Sequence, residues 1–225
     1  MKSGKKPVIF CDFDGTITLS DNIVAIMQHF KPEGYEPIME KIVKRETTLI
    51  EGVGDMFELL PSNQKDDIVS FVLSRAGIRD GFPEFLTFLK QEQIEFNVTS
   101  GGIDFFIDPL LAPYDIPKDH IYYNSADFSG EQIRIVWPHP CQPPCDKGCG
   151  MCKTTVIRQY DEDQYERILI GDSITDFEGA QIADLVYSRS SLTDKCKELG
   201  VSHVPFNDFH EIIADMQKKL QQGVL

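Results

Sequence analysis

Long apolar runs are missing: nothing in the 225 residues approaches the roughly 18–20 apolar residues of a membrane-crossing helix. Basic residues are scarce as well, with 22 Lys and Arg against 36 Asp and Glu, a net charge of −14. Such a surface repels phosphate backbones and anionic lipid, which excludes a general nucleic-acid or membrane binder but not a small anionic ligand held in a locally positive pocket. There is no internal repeat and no low-complexity segment. The basic start, Met1–Pro7, is followed by an apolar run of only Val8–Cys11, stopped by Asp12 and Asp14. That is too short for a secretory leader. Six cysteines without such a leader are expected as thiols in a reducing compartment, the cytoplasm.

What is present suffices for one domain with a modest addition, at ~150 residues per domain, and 41% hydrophobic residues supply its core. Val8–Cys11 reads as a buried parallel strand ending in Asp-Phe-Asp-Gly-Thr. Ile94–Val98, Ile168–Ile170 and Leu185–Tyr187 read as three more strands, and Tyr122–Val136 as a hairpin with Ile133–Val136 as one arm. Helical spacing recurs at Ile23–Phe30, Ile38–Lys44, Val53–Leu60 and Ile68–Arg75. Strands alternating with helices predict an α/β fold with a parallel sheet. The strandless stretch 20–77 predicts a small helical cap inserted after the first strand, leaving 1–19 and 78–225 as the core.

Three predicted strands end in Asp12 and Asp14, in Ser100, and in Asp172 and Asp176. Ligand sites of open parallel sheets form at the carboxyl ends of strands, so these residues are expected to converge. An aspartate after a strand often serves only a turn or a cap, and Ser100 could be a plain helix N-cap; it is the joint occurrence that argues for a site. Clustered carboxylates need a cation, and Mg²⁺, a hard ion with oxygen ligands, suits them. Ser100, Gly101 and Gly102 offer a hydroxyl and amides ahead of a predicted helix, and Lys153 adds a positive charge. Together they suit phosphoryl transfer.

Asp12-Phe13-Asp14-Gly15-Thr16, Thr99-Ser100-Gly101-Gly102, Lys153 and Gly171-Asp172-Ser173-x-x-Asp176 resemble, in order, the four motifs of the haloacid dehalogenase superfamily. The Ser-Gly-Gly form and Asp80-Gly81-Phe82-Pro83 resemble its phosphoserine-phosphatase-like branch. The resemblance implies a Rossmann-like core and an Mg²⁺-dependent phosphomonoesterase acting on a small phosphorylated metabolite. Asp12 would be the nucleophile and Asp14 the acid and base. Ser100, Gly101 and Lys153 would bind phosphate, and Asp12, the Asp14 carbonyl, Asp172 and Asp176 would hold the metal. Asp21, nine positions after Asp12, stands where that branch places a substrate-binding acid. The branch's cap arginine is missing before Leu60-Pro61, where only Arg45 and Arg75 occur in the insert; this disfavours a carboxylate-bearing substrate such as phosphoserine. A phosphoserine or phosphoethanolamine phosphatase is the alternative within the branch.

Cys141, Cys145, Cys149 and Cys152 form C-x3-C-x3-C-x2-C just before Lys153. They are a structural Zn²⁺ site, unusual in drawing all four ligands from so short a segment, a redox centre, or ordinary loop thiols. If that loop were the functional centre the chain would be a zinc-dependent interaction module, which leaves the four motifs unexplained. Met27, Met39 and Met56 are expected to fill the insert's core, or to meet an apolar or thioether substrate tail.

Overall fold

The computed structural model describes residues 4–225; the first three residues of the basic N-terminus lie outside them. Seven strands are present among the described residues: β1 (Lys6–Cys11), β2 (Glu95–Ile103), β3 (Ile121–Asp127), β4 (Arg134–Val136), β5 (Tyr165–Gly171), β6 (Leu185–Ser188) and β7 (Val204–Pro205). They form one sheet in the order β4-β3-β2-β1-β5-β6-β7. All neighbours are parallel except β3 and β4, the two arms of the expected hairpin. The two-residue edge strand β7 carries no apolar run by which a strand could be recognised.

Strand β1 sits at the centre because both its faces are apolar. Ile9 and Cys11 pack into one buried cluster, Val8 and Phe10 into another across the sheet. That period of two is what a strand buried on both sides requires. From β1 the sheet grows through β2 and β3 on one side and, after the chain crosses back from β4, through β5, β6 and β7 on the other, so the crevice at the carboxyl ends of β1 and β5 is a switch point of the topology.

Between β1 and β2 lie α1 (Asn22–Phe30), α2 (Tyr35–Lys44), α3 (Leu49–Glu58) and α4 (Lys65–Arg75); they start one to four residues ahead of the helical stretches read from the sequence, and α3 ends two residues before the expected Leu60. Local signals set those starts. Asp21 caps α1 by accepting the Val24 N–H at 2.9 Å, and Thr48 with Glu51 forms a reciprocal capping box on α3. The buried faces of these helices, including Ile26, Met27, Phe57 and Ile68, join the apolar cluster on the Ile9 side of the sheet. A fifth helix, α5 (Phe82–Glu92), leads into β2; beyond β2 follow α6 (Asp104–Leu111) and, before β5, α7 (Lys153–Ile157). No helix among the described residues is long and apolar enough to cross a membrane.

The insert leaves and returns along one seam. The Leu19 N–H donates to the Gly77 carbonyl at 2.9 Å, and Thr18 bridges Ile78 in antiparallel fashion. Arg79 locks this seam from beneath. Its buried guanidinium donates to the carbonyls of Thr16 and Gly15, each at 2.7 Å, and of Thr18 at 3.1 Å. Arg79→Met should therefore leave three carbonyls short of a donor and cost about 3 kcal/mol of stability. A urea titration with unchanged slope and a lowered midpoint would show it; a loss below about 0.5 kcal/mol would mean water replaces the guanidinium.

Candidate active site

The tight turn Phe13–Ile17 follows β1 directly and starts with Asp12, 5% exposed. Gly15 makes the turn possible. Its φ of +78° suits only glycine, and a Cβ there would stand 2.4 Å from Asp172 Oδ2. The bare backbone thus lets Asp172, arriving after β5, come against the β1 turn. Asp12, Asp172 and Asp176 offer carboxylate oxygens all within 4.8 Å of one another, and Thr16 Oγ1 lies 3.5 Å from Asp172 Oδ1. Three converging oxygen donors fit a hard divalent cation.

Lys153 enters this group from the start of α7. Its Nζ is 2.6 Å from Asp12 Oδ1 and also bonds Asp176 Oδ1, with all three side chains almost wholly buried. Burial opposes the ammonium charge, but Asp12 and Asp176 outweigh it and raise the lysine's pKa. Asp176 is spoken for on its other oxygen too, which accepts the amides of Asp172 at 3.2 Å and Ser173 at 3.0 Å. It therefore fixes both the lysine and the turn after β5.

Asp14 points elsewhere. Its Oδ1 accepts from Asn22 twice, from the backbone N–H at 2.9 Å and from Nδ2 at 2.6 Å, which aims it across the cavity mouth toward α1. Burial and the nearby Asp21 raise its pKa to about 7 against the pull of those bonds. Burial and Asp176 raise Asp172 to about 7 as well. Asp21, at the cavity rim, is already engaged as the cap of α1.

Ser100 departs from its expected setting. Strand β2 runs on through Gly101 and Gly102 to Ile103, so Ser100 is no helix N-cap; Ile103 holds that position before α6. The hydroxyl is fully buried and accepts the Gly102 N–H at 2.9 Å, which occupies one of the amides expected to be free for an anion. Gly101 and Gly102, not Ser100, line the cavity.

The cavity, about 310 Å³, is lined by two unlike sets of side chains. Its polar lining includes Asp12, Asp14, Asp172 and Ser173; its apolar lining includes Ile42, Val53, Trp137 and two methionines, Met39 and Met56, while Met27 is buried in the core. Neither Arg45 nor Arg75 lines it. Arg189 does, and the sequence reading missed it. It follows β6 immediately, donates from Nη1 to the Gly15 carbonyl at 3.1 Å, and buries an Nε that finds no partner among the described residues. The strand-end rule that found the aspartates would have found Arg189 had it been applied to the fourth predicted strand. Asn22 offered no such signal.

A parallel sheet with carboxylates and a buried lysine at its switch point defines a hydrolase of the phosphoryl-handling α/β class. The profile of the haloacid dehalogenase-like hydrolases matches residues 9–181, and the chain belongs to that family. It is 52% identical to a Brevibacillus brevis protein named 2-hydroxy-3-keto-5-methylthiopentenyl-1-phosphate phosphatase, across 98% of this chain and 99% of that one. It is 46% identical to a Bacillus mycoides protein of the same name, across 95% and 97%. A solved phospho-aspartyl intermediate analogue of phosphoserine phosphatase shares the fold, with a TM-score of 0.68 at 17% identity over 93% of this chain and 98% of that one.

Gly15→Ala tests the close packing of the two turns. A methyl group there must push Asp172 aside, and displacement by about 1 Å at a reacting centre costs on the order of 100-fold in rate. The expected result is that loss in kcat/KM with an unchanged far-ultraviolet circular dichroism spectrum. Near-normal activity would show that Asp172 tolerates another position.

Proposed function

We propose that the chain hydrolyses 2-hydroxy-3-keto-5-methylthiopentenyl-1-phosphate, the methionine-salvage reaction for which its relatives are named. One observation carries this beyond the shared names: the cavity has two kinds of wall, carboxylates, of which Asp12 is paired with the buried Lys153 ammonium behind it, and the side chains of Met39, Met56 and Trp137. The phosphate would lie at the first and the methylthio tail at the second, since polarizable thioether side chains pack well against sulfur and apolar groups.

Asp12 attacks phosphorus and carries the phosphoryl group as an aspartyl-phosphate. Asp14, held by Asn22, protonates the departing oxygen and then takes a proton from the attacking water. Lys153 and the Gly101 backbone stabilise the phosphoryl oxygens, and Ser100 acts from behind by holding Gly102. Mg²⁺ would be held by Asp12, the Asp14 carbonyl and Asp172 with Asp176 alongside, and would neutralise the carboxylate cluster and the phosphate. Zinc at Cys141, Cys145, Cys149 and Cys152 would serve the architecture of the loop and not the reaction. Residues 20–77 act as the cap whose closure excludes water, over a core of 1–19 and 78–225. Six unpaired cysteines suit a reducing cytoplasm.

Arg189 bears on the substrate in two ways. Its cavity-lining guanidinium suits the enol and keto oxygens next to the phosphate, and it could equally receive the carboxylate of phosphoserine, the one feature that favours the alternative substrate. Measured kcat/KM settles the choice. The methylthio enol-phosphate should exceed phosphoserine by well over tenfold, about 1.4 kcal/mol of transition-state discrimination. Equal or better use of phosphoserine would sink the substrate assignment and leave the phosphatase chemistry standing.

Arg189→Met separates recognition from catalysis. Loss of a charge-assisted hydrogen bond should lower kcat/KM on the enol-phosphate by about 10–100-fold while p-nitrophenyl phosphate, which lacks those oxygens, changes by less than about threefold. Equal losses on both would mean that Arg189 works through the Gly15 turn.

A further inference from the structure

The loop between β4 and α7 gathers Cys141, Cys145, Cys149 and Cys152 so that their four Sγ atoms lie within 4.8 Å of one another. Cys141 and Cys145 sulfurs are 3.7 Å apart. Four thiolates around a zinc ion at about 2.3 Å occupy the corners of a tetrahedron with edges of about 3.8 Å. The spacing is that of a coordination shell, in a loop with no regular secondary structure to impose it. The Cys149 N–H points at Cys141 Sγ, 3.4 Å away, a bond that favours the anionic sulfur. All four cysteines are free of disulfides. His139, though adjacent in sequence, is not part of the group: its carbonyl accepts the Cys152 N–H and its ring meets Tyr122.

We infer that these four cysteines bind one zinc ion and that this ion positions Lys153. Soft thiolates select zinc over magnesium, so the two metals do not compete for each other's sites. Cys152 is the last ligand and immediately precedes Lys153, the first residue of α7. The loop also reaches the insert, with the Gly148 carbonyl accepting the Ile50 N–H at 3.2 Å near the start of α3. A Cβ on Gly148, whose φ is +64°, would stand 2.9 Å from Thr48 Cβ. A single ion would thus cross-link an otherwise irregular loop at the point where the insert and the catalytic lysine meet. Binding releases the thiol protons to solvent, and the metal contributes to the fold directly. The existence of the site is independent of the proposed substrate; only its effect through Lys153 rests on the phosphatase reading.

The test begins with the full chain, purified without chelator and dialysed against EDTA until magnesium is gone. Elemental analysis should find one zinc per chain, released by a mercurial thiol reagent. Protein refolded with cobalt(II) should show the intense visible and near-ultraviolet bands of a tetrahedral tetrathiolate centre. Cys145→Ser and Cys149→Ser should each lower the zinc content at least tenfold. In whichever of them stays folded by circular dichroism, inorganic phosphate should bind about tenfold more weakly, because Lys153 is no longer held. Zinc-free protein of unchanged melting temperature, cobalt without those bands, or a chain mass four hydrogens lighter through two disulfides would each overturn the metal site. Normal phosphate affinity in a folded, zinc-free variant would overturn the link to Lys153.

Discussion

A buried ammonium shared by two buried carboxylates is the constraint on which the site rests. Lys153 lies between Asp12, from the end of β1, and Asp176, from the turn after β5, with almost no solvent in reach. Desolvating three charges is costly, and the group persists because each charge has partners: Asp176 also takes two backbone amides. Removing any one of the three would strand a charge in a dry place. Strand order, turn shape and helix position must all agree for the triad to close, so the sheet and the chemistry cannot vary independently.

The triad also explains why the central strands are so apolar. Two flanks of β1 and both neighbours must be covered for the crevice to exclude water, and the alternating burial of Val8, Ile9, Phe10 and Cys11 achieves that. Arg79 extends the same logic to the turn itself. By satisfying the carbonyls of Gly15, Thr16 and Thr18 from below, it leaves the turn's other side to face the cavity.

Much of this was legible in the residue order because it is encoded at short range. Aspartates directly after apolar runs mark strand ends, and apolar residues at helical spacing mark the helices, whereas the caps that set two of their starts, Asp21 and Thr48, went unread. The family motifs then implied which aspartates serve the reaction. What escaped reading depends on partners far along the chain. Strand β7 exists because β6 offers an edge to Val204 and Pro205, not because those residues favour a strand. A helix was expected directly after Ser100, Gly101 and Gly102, yet β2 bulges through them and pairs with β3 again at Ile103. Arg189 and Arg79 are single basic residues whose meaning lies in carbonyls far from them in sequence. Met27 and Met39 have similar local surroundings and differ only in which side of α1 and α2 the cavity opens on.

The seam at Leu19 and Gly77 has an evolutionary reading. The two ends of the inserted helices already touch, so the excursion between them closes whatever its length, and the entropy of loop closure grows only slowly with added residues. A lineage could lengthen, trim or replace that block without disturbing the register of β1 against β2 and β5. The seam works like a socket: the turn after β1 keeps its place whatever length of chain runs between Leu19 and Gly77.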